Sequence, residues 1–288
     1  MYTHEICFRD QLHADGLTTV KFVRLDVTDA STILAAKETI EKAEEKLDVL
    51  VNNAGMSSVY QPSSQTMFWT ASIIAAGINI NADQNATSIS LSTARDVMEV
   101  NYFGVIQTTV TLLPLIRKST NGVIVNVSSI GGSNTFQANP NRKFGVGSPG
   151  IGKSFVAYSS SKAALNSYGI VLARELKEEG IKVNLVTPGL TSSKLSGGVG
   201  KTTRAGAEVL LPWALLEKDG PTGKHLEWVV IISGRWRSNS TGRFINDDNT
   251  DAPWWTNISW NTQASSGYMC NTFIRRSEQD ILILFLML

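Results

Sequence analysis

Hydrophobic positions along the chain alternate between two spacings from residue 20 to about residue 190. Apolar residues recur at three- and four-residue steps over 31–48, 93–116 and 155–180, which predicts helices there, the last closed by Gly180. Between the helices lie short apolar runs of buried-strand type, KFVRLDV (21–27), DVLVNNAG (48–55), GVIVNVSS (122–129) and IKVNLVTPG (181–189). This repeated order predicts an α/β fold, a doubly wound parallel sheet with helices on both faces.

Two stretches interrupt the alternation, residues 56–77 and 224–241. Beyond residue 254 the chain shows neither a helical nor a strand period, although its tryptophans could form a small packing cluster. We therefore predict one Rossmann-like domain over 1–254 that carries the two stretches as insertions. Residues 255–288 are expected to form an irregular or disordered tail.

Composition narrows the function classes. A net charge of +1 over 288 residues offers no footprint for nucleic acid. Cys7, Cys270 and three scattered histidines predict neither a disulfide framework nor a metal site. The first residues lack the apolar core of a secretory signal, and the apolar run ILILFLML (281–288) is too short to span a bilayer. We expect a cytoplasmic protein with a small-molecule substrate and no membrane partner.

GSPGIGKS (147–154) fits the phosphate-loop pattern G-x-x-x-x-G-K-[ST]. A phosphate loop follows a buried strand, however, and the residues before Gly147 are polar and rich in turn formers. A near-match, GGVGKTT (197–203), has Leu195 where the first glycine belongs and also lacks a preceding strand. We interpret 147–154 as a substrate-side loop, and keep a P-loop NTPase as the least favoured alternative.

Polar residues gather where the predicted strands end. The motifs are LDVTD (25–29), NNAG (52–55), Asn101 in MEVNYFG, VNVSS (125–129), YSSSK (158–162) and TPGLTSS (187–193). Tyr158 and Lys162 are four residues apart on a predicted helix, so their side chains share one face. We expect the ammonium to lower the pKa of the phenol, which would suit acid–base chemistry near neutral pH. Alternatively, Tyr158 is a half-buried core aromatic and Lys162 a solvated charge.

In this order the six motifs resemble the short-chain dehydrogenase/reductase (SDR) family, and within it carbonyl-reductase-like members of the fungal type. The resemblance covers about residues 10–220. It implies an NAD(P)-dependent oxidoreductase that reduces a carbonyl compound to an alcohol, or the reverse, with NADP the favoured cofactor.

The resemblance also implies residue roles. Tyr158 would exchange the proton, Ser129 would hydrogen-bond the substrate oxygen, Lys162 would hold the nicotinamide ribose, and Asn101 would keep a water beside Lys162. The implied cofactor contacts, besides Tyr158 and Lys162, are Asp26 and Val27 at the adenine, Asn52, Ala54 and Gly55 beside the ribose, and Pro188, Gly189 and the hydroxyl of Thr191 or Ser193 near the carboxamide and phosphates.

Several of these residues have a purely structural alternative. Asp26 could cap the following helix, NNAG could be a tight turn, and Pro188-Gly189 could be a strand exit. We expect Ser128 to bond backbone rather than substrate.

The sequence departs from the family in one large respect. No Gly-rich loop precedes LDVTD, so the family's first strand, first helix and second strand are expected to be absent. The loop would normally receive the pyrophosphate, and the end of the second strand would separate NAD from NADP. We expect strands 3 and 4 to be left with exposed edges.

Removing 56–77 or 224–241 restores a family-like spacing, and both begin at codons that can encode a splice donor. Our hypothesis is that they are retained introns and that a first exon is missing. The second function class is therefore an inactive SDR remnant from a mis-spliced gene model. The sequence leaves the substrate and the oligomeric state open.

Overall fold

The computed structural model describes residues 20–56, 85–139 and 155–226 without 194 and 197, together with the strand backbones 237–238, 244–245, 272–275 and 282–286. The GSPGIGKS segment and most of both insertions therefore lie outside the described residues. Within the described part, no helix has both the length and the apolar character needed to cross a membrane.

The strands are short. They are β1 (Val20–Phe22), β2 (Val49–Asn52), β3 (Val123–Val127), β4 (Lys182–Val186), β5 (His225–Leu226), β6 (Arg237–Ser238), β7 (Phe244–Ile245), β8 (Thr272–Arg275) and β9 (Leu282–Leu286). Every residue of β2, β3 and β4 is buried, as expected for strands covered on both faces.

The helices follow the predicted periodicity with shorter bounds. They are α1 (Ala30–Glu44), α2 (Leu91–Met98), α3 (Gly104–Ile116), α4 (Asn134–Ala138), α5 (Val156–Glu175) and α6 (Thr203–Ala214). The helix predicted over 93–116 is divided by a π turn, Glu99–Phe103, that joins α2 to α3. Asp29, and not Asp26, caps α1, because its carboxylate accepts from the Ser31 N–H.

The main sheet has seven strands in the order β1-β8-β9-β2-β3-β4-β5. β9, β2, β3, β4 and β5 are mutually parallel, while β8 runs antiparallel to both β1 and β9. In the doubly wound order 3-2-1-4-5-6, β1 takes the place of strand 3 and β2 that of strand 4. β8 and β9 fill the two positions between them.

This topology corrects two expectations. The tail is not irregular at 272–275 and 282–286, and the edges of β1 and β2 are not left open, because β8 and β9 pair with them. A short run of leucine and isoleucine residues has strand propensity, but it is too short to show a hydrophobic period. Its role as a strand follows only from the tertiary structure, because the backbone N–H and C=O groups of β1 and β2 need hydrogen-bond partners on neighbouring strands.

Alternate residues of the strands pack on opposite faces of the sheet. Leu50 and Ile124 belong to a cluster with α1, α3 and α5, which includes Ile40 and Leu112. The second cluster packs α6 against the other face, and its members include Val49, Val51, Val123, Val125 and Leu210. Successive side chains of these strands point to opposite faces, and helices cover both faces of the sheet, as predicted.

Candidate active site

The carboxyl ends of β2, β3 and β4 place three polar loops at one edge of the sheet. These loops begin at Asn53, Ser128 and Thr187, directly after their strands. The first turns of α5 lie against this edge, because Lys162 reaches the end of β3. Ligands of open α/β sheets bind at such carboxyl ends.

Tyr158 and Lys162 lie one turn apart on α5, as predicted. The Lys162 ammonium is 5.8 Å from the centroid of the Tyr158 ring and donates to the Val127 backbone carbonyl at 2.7 Å. The Ser129 side chain is close enough to the Tyr158 hydroxyl to act on the pKa of the phenol. Lys162 is 4 % exposed, so it is not the solvated charge of the alternative reading.

Burial dominates the titration of this pair. It raises the pKa of the Tyr158 phenol, and the hydrogen bond to Ser129 only partly offsets the rise. Burial also lowers the pKa of Lys162 to about 8. The expected lowering of the phenol pKa is therefore wrong for this structure, because desolvation of the phenolate exceeds the stabilising influences on it.

Asn101 ties the β2 loop to α5. Its Nδ2 donates to the Met56 carbonyl at 2.8 Å and to Ser161 Oγ at 2.9 Å. Its Oδ1 accepts from the Met56 N–H at 2.8 Å. The residue lies in the π turn, whose extra residue per turn changes which side chains face inward. The side chain is fully buried, and its role in holding a water stays a prediction.

Gly55 lies beside both the Asn101 amide and the Lys162 ammonium. A Cβ atom added at Gly55 would lie 3.4 Å from Asn101 Oδ1 and 3.6 Å from Lys162 Nζ. Any side chain there would therefore crowd the approach to both polar groups. Of the NNAG motif, Gly55 is the residue that borders the site.

Three other predicted cofactor contacts, Asn52, Val27 and Ala54, face the interior. Asn52 is 1 % exposed and donates to Asn126 Oδ1 and Thr109 Oγ1. Val27 and Ala54 are buried in the apolar core. Their side chains are thus unavailable to a cofactor, and contacts through their backbone stay a prediction.

Asp26 and the two serines after β3 have local partners. Asp26 Oδ1 accepts from the N–H and the hydroxyl of Thr28. Ser129 Oγ accepts from the Gly131 N–H at 3.1 Å and caps the short 3₁₀ turn that follows. Ser128 donates to the side chain of Asn166, and not to backbone as expected, because α5 brings that amide over the strand end.

The loop after β4 folds back on itself. Thr191 Oγ1 donates to the Gly189 carbonyl at 3.2 Å, and Thr191 forms a parallel bridge with Lys201. Gly189 has a φ of 79°, so Pro188-Gly189 is also the tight strand exit considered above. Lys201, which is part of the GGVGKTT near-match, was not among the predicted site residues, and the structure brings it to this loop. The Ser193 N–H donates to Ser196 Oγ within the same loop.

Fold and site together define a Rossmann-like α/β protein with a Tyr–Lys pair at its ligand-binding edge. Residues 7–141 and 147–204 match the family model of the short chain dehydrogenases. The chain belongs to the short chain dehydrogenase family. It is therefore an NAD(P)-dependent oxidoreductase of the class acting on CH–OH and C=O groups.

Relatives include reductases and dehydrogenases. The chain is 30 % identical to salutaridine reductase of Papaver bracteatum over 252 residues, which covers 74 % of this chain and 79 % of the relative. It is 33 % identical to 17-beta-hydroxysteroid dehydrogenase type 6 of Bos taurus over 182 residues, 62 % of this chain and 44 % of the relative.

Solved structures show the same fold. Salutaridine reductase from Papaver somniferum aligns with a TM-score of 0.53 at 28 % identity, covering 70 % of this chain and 80 % of that one. The NADPH-bound carbonyl reductase from chicken fatty liver aligns with a TM-score of 0.50 at 19 % identity, over 83 % of this chain and 76 % of that one. The latter likeness concerns the fold alone.

The residues at this edge fit a dinucleotide. The Thr187 hydroxyl is buried without a hydrogen-bond partner among the described residues. The space beside Gly55 is bordered by an ammonium and an amide oxygen, and a half-buried ammonium, that of Lys201, lies beside Gly189. Ammonium groups and hydroxyls suit the phosphates and ribose hydroxyls of such a cofactor.

Proposed function

We propose that the protein reduces a ketone or aldehyde to an alcohol with NADPH, or runs the reverse oxidation, through Tyr158, Lys162, Ser129 and Asn101. The cofactor supplies or receives the hydride. The choice of NADP is supported by the resemblance of the motifs to carbonyl-reductase-like members of the family. Reduction is favoured because a relative that the chain covers well is a reductase by name.

The pairing of Tyr158 with Lys162 is the observation that carries this proposal, because the buried ammonium lies 5.8 Å from the phenol ring and Ser129 interacts with the same phenol. A substrate oxygen that accepts from both hydroxyls is held where the phenol can give it a proton as the carbonyl carbon is reduced. The raised pKa of Tyr158 keeps the phenol protonated at neutral pH, which is the form a general acid requires.

Lys162 and Asn101 complete the arrangement. In the proposal, the Lys162 ammonium holds the ribose hydroxyls and offsets the charge that forms on the phenolate after proton transfer. Asn101 fixes Met56 and Ser161, and so keeps the Gly55 loop and α5 at a constant separation. We assign it a positioning role, with a bound water as the route for reprotonation of Tyr158.

The test is a Tyr158→Phe variant of the full chain. We expect carbonyl-dependent NADPH consumption to fall by about 10²–10⁴-fold, the usual contribution of a general acid. Tyr168→Phe is the matched control, because Tyr168 lies on the same helix with a desolvated hydroxyl but faces the core. Equal turnover by Tyr158→Phe and its parent would refute the proposal.

A second candidate is a protein of this fold that binds no cofactor. One observation favours it: β8 and β9 take the sheet positions of strands 2 and 1, and the loop after strand 1 normally receives the pyrophosphate. Titration with NADPH separates the candidates. Saturable quenching of tryptophan emission supports the reductase, and its absence supports the non-catalytic protein.

A further inference from the structure

We propose that Lys201 is a binding residue for the diphosphate of the cofactor, acting from the loop after β4. This inference rests on the proposed function, since it concerns the cofactor of that same site. It gives a role to the GGVGKTT segment, which resembles a nucleotide-triphosphate loop but lies in a turn-rich stretch between β4 and α6.

Backbone pairing fixes Lys201 beside the end of β4. Its N–H donates to the Leu190 carbonyl at 3.0 Å, and its own carbonyl accepts from the Ser192 N–H at 2.7 Å. The residue is thus anchored on both sides to the strand exit that begins at Pro188. A lysine this far along a surface loop would otherwise sample many positions.

Gly200 makes this pairing possible. A Cβ atom at Gly200 would lie 2.4 Å from the Leu190 carbonyl oxygen, and the residue has a φ of 119°. Only glycine tolerates both the backbone conformation and the close approach. The Gly-Lys pair is therefore explained by the return of the loop to β4, without any triphosphate loop.

The Lys201 side chain extends over Gly189. Its Nζ lies 3.8 Å from the position that a Cβ at Gly189 would occupy, so the ammonium borders the gap left by the missing side chain. Burial lowers the pKa of Lys201, while Glu208 opposes that effect. In the described part of the chain no carboxylate lies within 4.0 Å of this ammonium, and Glu208 pairs with Arg204 instead.

A half-desolvated ammonium without a close counter-ion, at the ligand-binding edge of the sheet, is suited to an anionic ligand. Two anions could reach it, the diphosphate of the cofactor or a carboxylate of the substrate. The diphosphate is favoured because Lys201 lies beside Gly189, at the carboxyl ends of the parallel strands where open α/β sheets bind dinucleotides. In this proposal the Lys201 ammonium offsets the charge of the diphosphate at this edge.

The test compares ligand binding by calorimetry to the full chain and to Lys201→Gln, Lys201→Met and Lys201→Arg. The ligands are NADPH, ADP-ribose, which keeps the diphosphate but lacks nicotinamide, and adenosine 2′-monophosphate, which lacks the diphosphate. Lys177→Gln is the control, an exposed lysine near the opposite end of α5. Both Lys201→Gln and Lys201→Met remove the charge. If thermal melting shows that one of them is misfolded, the binding data of the other still test the proposal.

We expect the Gln and Met variants to weaken NADPH and ADP-ribose about 10-fold, as for loss of one charge-assisted hydrogen bond. Adenosine 2′-monophosphate should bind unchanged, and Lys201→Arg should stay within about 3-fold of its parent for all three ligands. Raised salt should weaken NADPH binding less in the Gln variant than in its parent.

Three results would overturn the inference. Unchanged NADPH and ADP-ribose affinity in the Gln and Met variants would leave the proposed reductase intact and remove Lys201 from its site. An effect limited to the Michaelis constant of a carboxylate-bearing substrate would assign the ammonium to the substrate. Failure of the unmodified chain to bind NADPH or ADP-ribose would refute the proposed function itself, and this inference with it.

Discussion

The Lys162 ammonium donates a 2.7 Å hydrogen bond to the carbonyl of Val127, the last residue of β3. The helix that carries the proposed acid–base pair is thereby attached to the sheet through the same group that is assigned to the ribose. Packing of α5 against the sheet also buries the ammonium, and this burial lowers the pKa of Lys162.

Cofactor capture should depend on the charge of Lys162. Its pKa is lowered to about 8, so the ammonium is present below that pH and lost above it. We expect kcat/KM for NADPH to decline above about pH 8, because this parameter reports groups of the free enzyme. In Lys162→Arg, which stays charged, the decline should move to higher pH. A decline at the same pH in both proteins would contradict the assignment.

Stability should also depend on pH through Lys162. The folded pKa of about 8 lies below the ordinary value of 10.5, so the unfolded chain binds more protons between these values. The free energy of unfolding should therefore rise as pH increases from about 8 to about 10.5. Urea titrations across this range measure the slope, and Lys162→Met should flatten it. Identical slopes in the two proteins would refute the linkage.

Asn101→Ala should destabilise the fold by about 2–4 kcal/mol, because it removes three hydrogen bonds and leaves buried groups of Met56 and Ser161 with fewer partners. Ser161→Ala removes the bond to Asn101 and the bond from Ser161 Oγ to the Tyr158 carbonyl, and should cost less, about 1 kcal/mol. Chemical denaturation measures both. Equal costs would show that the bonds to Met56 contribute little.

β9 should be essential to the sheet. Leu284 pairs with Leu50 of β2 and with Phe273 of β8, so Leu284→Pro removes a ladder donor from an interior strand. We expect loss of hydrogen-exchange protection in β2 and increased aggregation from the newly opened edges. Ser238→Pro, in the separate two-stranded sheet of β6 and β7, is the control. Unchanged protection of β2 in Leu284→Pro would refute the pairing.

Gly200→Ala should weaken NADPH binding by displacing Lys201, because the added Cβ clashes with the Leu190 carbonyl. Gly180→Ala is the matched control. It also has a positive φ, but nothing lies within 4 Å of its added Cβ, so it isolates strain from steric displacement. Calorimetry with ADP-ribose reads the effect without turnover. Equal affinity in both variants would indicate that the loop pairing does not position Lys201.

The sequence alone determined the alternating elements and predicted which polar residues gather at the strand ends. Valine-rich, largely apolar runs at β2, β3 and β4 and the helical period of α1 fix local structure, because each pattern is satisfied within a few residues or on one face. The four-residue spacing of Tyr158 and Lys162 fixed their shared face in the same way. Family membership followed from the order of such local motifs.

Tertiary structure alone decided the rest. The tail strands β8 and β9 form because β1 and β2 present unpaired ladder groups about 230 residues away in sequence, and no local pattern contains that requirement. Whether Asn52 or Gly55 borders the site depends on how the strand end meets α3. The direction of the Tyr158 pKa depends on desolvation, and the place of Lys201 depends on a backbone approach at Gly200. Each of these is a property of groups that only folding brings together.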